Sequence, residues 1–106
     1  MAIDFCIGNT IKEAAHSEMY ASLTDEIQDS LKEKEIPHKA FIELILDLNP
    51  YGDKVYSQEQ IRELIEICTL IRNSIKEKRI VLFFNELQEM CNLALQQNKL
   101  IFAVGD

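Results

Sequence analysis

Three features of the 106-residue chain predict an α+β domain that is predominantly helical. A long apolar stripe at helical spacing occupies the second half, short alternating or wholly apolar segments lie at both ends, and 47% apolar against 27% charged residues suffices to bury a core. The expected architecture is an antiparallel-type bundle of about four helices with a small sheet pairing the N- and C-terminal strands. The length suits a single domain over 1–106, since domains commonly run about 100–150 residues.

In chain order, Ala2 to Ile7 alternates, with Ile3, Phe5 and Ile7 on one side and Asp4 and Cys6 on the other, which is a strand with one covered face. Gly8-Asn9 breaks it. Thr10 and Glu13 then have the spacing of a capping box, opening a helix through Ile11, Ala14, Ala15, Glu18 and Met19. The same Gly-Asn pair also fits a hairpin with a return strand near Met19 to Leu23, so residues 10–23 carry two readings. Ser22 or Thr24 caps the next helix, which runs to about Lys34 with a thin stripe of Leu23, Ile27 and Leu31. Its other side carries Glu26, Asp29 and Glu33, a strip of like charge.

Pro37 fits the first turn of a further helix with Phe41, Leu44, Ile45 and Leu48 as its core face, ended by Asn49-Pro50. Gly52 and Asp53 complete a tight turn ahead of Val55-Tyr56. The principal helix is expected as one continuous element over Ser57–Lys78, opened by the box of Ser57 and Gln60. Ile61, Leu64, Ile65, Cys68, Ile71 and Ile75 form its buried stripe, and Ile67 and Leu70 imply cover on a second side. Lys76-Glu77-Lys78-Arg79 is placed at its C-terminal end, where positive charge is favourable. A new stripe of Ile80, Phe83, Phe84, Leu87, Met90, Cys91 and Ala94 predicts the last helix, although Ile80–Phe84 also reads as a buried strand with the helix starting at Asn85. Leu100 to Val104 is too apolar to stand free and is expected to pair with the first strand.

The net charge of −7 opposes direct contact with nucleic acid or an anionic membrane and favours a basic partner. The charge is uneven, with ten acidic and four basic residues in 1–50 against eight and seven in 51–106. No apolar run is long enough to span a bilayer, and the start lacks the basic segment of a signal peptide, so a cytoplasmic protein is expected.

Motifs for chemistry are sparse. His16 and His38 are remote in sequence from each other and from Cys6, Cys68 and Cys91, so neither metal nor cofactor is expected. Three glycines and the lack of a phosphate-cradling loop argue against nucleotide enzymes. Cys68 and Cys91 fall on core stripes. Cys6, on the less apolar side of its strand, and the carboxylate pair Asp47 and Asp53 are the residues through which a catalytic role would run. Tyr51 and Tyr56 suit either an interface or the edge of the core.

The run Asn49-Pro50-Tyr51-Gly52-Asp53-Lys54-Val55-Tyr56, the helix after it and the ending Asn98 to Asp106 resemble small uncharacterised bacterial proteins with a P-Y-G-D turn. More loosely, the same layout resembles the immunity proteins encoded beside secreted bacterial toxins. The resemblance spans roughly the second half of the chain. Together with small size, acidity and lack of catalytic motifs, it implies a non-enzymatic protein that binds and occludes a cognate basic toxin, such as a nuclease. The expected partner-binding residues are Glu26, Asp29 and Glu33, with Tyr51 and Asp53 as a second patch. A regulatory or adaptor module that binds another protein is the alternative.

Overall fold

The computed structural model describes residues 2–17, 19–33 and 53–105. Along the chain these form β1 (Ala2–Gly8), α1 (Ile11–Ala15), β2 (Tyr20–Thr24), α2 (Asp25–Glu33), β3 (Asp53–Tyr56), α3 (Gln58–Ser74), α4 (Lys78–Gln97) and β4 (Leu100–Gly105). The strands make one antiparallel sheet in the order β2-β1-β4-β3. The helix expected over Pro37 to Leu48 and the turn at Asn49–Gly52 lie outside the described residues.

Directly opposed residues in an antiparallel sheet share a face. The register Ile3↔Leu23, Phe5↔Ala21, Phe5↔Ala103, Ile7↔Ile101 and Tyr56↔Ile101 therefore collects one apolar face, and all of these residues are buried. Against it pack α3 and α4. Phe5 stacks on Tyr56 with ring centroids 6.0 Å apart and meets the edge of Phe83 at 5.8 Å, while Phe83 and Phe84 are edge to face at 4.9 Å. Among the described helices, α3 and α4 form the extensive helix–helix contact, whereas α1 and α2 pack on strands. The described part of the fold is thus a helical hairpin laid on a sheet rather than a four-helix bundle, because the two strands expected at the termini are joined by β2 and β3 into a surface wide enough to cover both long helices.

The principal helix has the expected capping box: Gln60 N donates to Ser57 Oγ at 3.2 Å and Ser57 N to Gln60 Oε1 at 3.1 Å. It is shorter than expected and ends at Ser74. Ile75 turns extended (φ −122°, ψ 134°) while its N–H still donates to Ile71 O at 2.8 Å, and its side chain stays buried. Extended geometry keeps Ile75 in the core while the chain reverses through three residues into α4, so no glycine or proline is needed to mark the break. The buried face is also broader than a single stripe. Ile67 is fully buried and Ile65 only half-buried, since α3 is pressed by the sheet on one side and α4 on another.

Ile80–Phe84 is helical, the first part of α4, and the whole stripe from Ile80 to Ala94 is buried as spaced. Lys78 and Arg79 accordingly sit in the first turn of α4 rather than at the end of α3, facing the positive end of the helix dipole. Arg72 Nη1 donates to Asn85 Oδ1 at 3.2 Å, fixing α3 to α4. At the far end Asn98 takes a left-handed conformation (φ 55°, ψ 44°), which asparagine tolerates, and Lys99 N donates to Ala94 O at 2.8 Å. The chain then enters β4, and the Gln58 side chain donates to O of Lys99 just ahead of the strand.

Between β1 and β2 both readings of residues 10–23 are realised in part: a single short helix, then a return strand. Glu13 N donates to Thr10 Oγ1 at 3.1 Å, but the reciprocal arm is shifted by one residue, with Asn9 N donating to Glu13 Oε2 at 3.1 Å. Lys99 Nζ reaches Glu13 Oε1 at 2.7 Å and ties α1 to the start of β4. A Cβ on Gly8 would come within 2.6 Å of Ala14 N, so glycine is what lets α1 lie against β1. Thr24, not Ser22, caps α2: Ile27 N donates to its Oγ1 at 3.2 Å. Leu23 belongs to β2 and is buried from the sheet, because the residue before the cap is still in strand geometry.

Leu64→Ala should lower stability by about 2–5 kcal/mol, the range for truncating a buried leucine, and Ile65→Ala by clearly less. Equal losses in denaturant melts would mean that α3 presents a different face to the core. The Lys99 hydrogen bond, followed by that from Asn9, holds the Glu13 carboxyl below its usual range. A depressed folded pKa contributes stability above the unfolded value that is lost as pH falls through the folded one. The advantage of the native chain over Glu13→Gln should therefore be present at neutral pH and vanish on acidification, as read from paired melts across pH 2–7.

Candidate functional site

On α2, Ile27 and Leu31 are buried while Glu26, Asp29 and Glu33 are exposed, so the apolar side anchors the helix and the carboxylates project as a strip at three- and four-residue steps. Glu26 pairs with Arg79 at the start of α4. Both partners remain largely exposed, and such a pair is readily exchanged for another cation. Asp53 is exposed at the head of β3, in register with Val104 and thereby with Asp4 and Ser22 across the sheet. The strand order puts β3 and β2 on opposite edges, three strand spacings or roughly 14 Å apart. Asp53 and the α2 strip are therefore separate features. Tyr51 and Asp47 lie outside the described residues.

A surface that sequence reasoning missed lies between β2 and α4. An open groove of about 700 Å³ is lined by Tyr20, Ser22 and Thr24 of β2, Glu26 and Ile27 of α2, and Arg79, Leu82 and Glu86 of α4, among others. A second hollow of about 330 Å³ shares Tyr20 and Glu86 and adds Met19, Glu89 and Met90. Tyr20 is 58% and Leu82 49% exposed, large values for an aromatic and a leucine flanking a common groove. The available signal was Leu82 itself, an apolar residue off the buried stripe of its helix. Tyr20 gave a weaker one, since its place in a strand depends on the pairing Cys6↔Tyr20.

Cys68 and Cys91 lie in the core as their stripes predict, and Cys6 is buried as well. Cys6 does share the less apolar side of its strand with Asp4, but α1 covers it there: it is 7% exposed, packed with Ala14 and Phe102. Burial, with a smaller push from Asp4, raises its thiol pKa. Cys68 and Cys91 are fully buried in the main core, and burial moves both thiols upward, Cys91 to about 12. A raised pKa leaves less thiolate at any working pH. Tyr56, a candidate for interface or core edge, has no exposed surface and belongs to the core. Burial raises its phenol pKa. Among the described residues no group of three or more His, Cys, Asp or Glu side chains converges to hold a metal ion, and no helix is long and apolar enough to cross a membrane.

The native chain should accordingly react slowly with a disulfide reagent such as Ellman's at pH 8, all three thiols becoming reactive on unfolding. Rapid modification of Cys6 in the native state would restore it as a nucleophile. No protein-family model, curated protein or solved structure matches the chain.

Proposed function

We propose that this chain works by binding rather than turnover: it is a cytoplasmic neutraliser of a basic protein, in the manner of an immunity protein that occludes its toxin. The observation that carries the reading is the strip Glu26, Asp29 and Glu33, held outward by a helix whose other side is locked in the core through Ile27 and Leu31. Carboxylates fixed in this way meet a basic cleft without further ordering, so they accelerate encounter and select for positive charge. Glu86 lines the groove beside this helix and enlarges the acidic face. Three free, buried cysteines fit a reducing compartment.

A regulatory or adaptor module is the second reading. The groove between β2 and α4 favours it, because exposed Tyr20 and Leu82 offer apolar contact to a partner of any activity.

The test is stopped-flow association with the protein encoded immediately upstream, across a salt series. Replacing Glu26, Asp29 and Glu33 by Gln, Asn and Gln should leave the fold intact, slow association at low salt by about tenfold or more, and flatten its salt dependence. Protection of cells from that protein should weaken in parallel. Equal rates for the native and substituted chains at every salt concentration would remove the strip from the interface.

A further inference from the structure

We infer that the outer edge of β2 accepts an extended segment of a partner protein, bearing alternating apolar and basic residues, as a fifth strand of the sheet. This deepens the binding reading and rests on it for the sign of the partner's charge.

Two independent observations carry it. First, β2 is an edge strand of the described sheet and carries none of the usual protection in its own sequence. Among the described strands it pairs only with β1, and Tyr20-Ala21-Ser22-Leu23-Thr24 contains no charge and no proline. Edges left in this state are templates for pairing, and proteins ordinarily blunt them with charged residues, proline or bulges. The opposite edge, β3, is so treated: it is four residues long and begins with Asp53 and Lys54. Second, a slot of suitable shape lies alongside. Tyr20, Ser22 and Thr24 share the sheet face turned away from the long helices, as their register with Cys6, Asp4 and Ala2 requires, whereas Leu82 and Glu86 stand on α4 beneath the opposite face. Both sets nevertheless line one open groove, which therefore wraps around the edge of β2 that no described strand pairs. A strand laid one spacing outside β2 would direct alternate side chains toward Leu82 on one side and toward Tyr20 on the other.

Charge selects the occupant. Asp25, Glu26, Glu86 and Glu89 line the groove and the hollow that shares Tyr20 and Glu86 with it, against Arg79 alone among basic residues, which pairs with Glu26. Lysine or arginine at alternate positions of the added strand meets these carboxylates. A second copy of this chain is disfavoured as occupant, because its own edge, Tyr20 to Thr24, carries no basic residue to meet these carboxylates.

The experiment titrates the isotope-labelled full chain with three capped peptides: alternating Lys-Val, alternating Glu-Val, and the Lys-Val peptide with two internal residues replaced by proline. NMR shifts and amide exchange are the readouts, and association of the upstream protein is measured in parallel. The Lys-Val peptide should move resonances of residues 19–24 and 82–90 and slow exchange at alternate β2 amides. The acidic and the proline-bearing peptides should bind at least about tenfold more weakly. Leu82→Arg, at an exposed helix position, should abolish the response while leaving the melting transition in place. Equal binding of the acidic peptide, changes centred on β3, or β2 protection that depends on protein concentration without peptide would each overturn strand addition, the last assigning the edge to a second copy. If no peptide perturbs β2 while the upstream protein still associates with a salt dependence set by α2, strand addition fails and the charge-based reading stands. If the Lys-Val peptide protects β2 but the upstream protein does not bind, strand addition stands and the toxin reading fails.

Discussion

Everything in the fold is referred to β1, which is paired along both edges and covered on both faces. Inward, Ile3, Phe5 and Ile7 meet α3 and α4; outward, Cys6 and Gly8 lie against α1, and even the backbone at Gly8 has no room for a side chain. A strand confined in this way can shift its register by one residue only by exchanging its two faces, which would set Asp4 against Phe83 and expel Phe5. The contact of Phe5 with both Tyr56 and Phe83 links β3 and α4 through a single ring. The sheet, the helical hairpin and the position of the groove beside β2 are thus consequences of one alignment.

Regular, strongly periodic stretches and the apolar strands β1 and β4 were legible in the sequence, whereas the short strands β2 and β3 were not settled by it. Ser57 with Gln60 and the spacing from Ile80 to Ala94 are local signals, and they survive intact. The end of α3 was misplaced because Ile75 continues the apolar phase while its backbone leaves the helix; burial of its side chain, which the pattern reports, does not specify φ and ψ. β2 and β3 have five and four residues, and half of each faces outward, so their identity as strands comes from pairing with β1 and β4 rather than from their own composition.

The same distinction governs the candidate site. The strip Glu26, Asp29 and Glu33 was readable because charge at helical spacing is a property of one element. Its separation from Asp53 was not, since only the strand order puts β2 and β3 at opposite edges. Nor was the groove, which requires an uncharged edge strand and an off-stripe leucine, sixty residues apart in the chain, to be side by side. Charge density can be read residue by residue, whereas concavity belongs to the assembled surface.

The central position of β4 also determines when the molecule can exist. Ile3 faces Gly105 and Gly8 faces Leu100, so the innermost ladder joins the first described strand to the last and has very high sequence separation. During vectorial synthesis β1 emerges well before β4 and keeps one edge open until residues 100–105 follow. Helical hairpins can form locally and early, but this one has no sheet to close upon before then. Such a topology folds comparatively slowly for its size, and until β4 arrives the nascent form leaves one edge of β1 exposed to unwanted pairing.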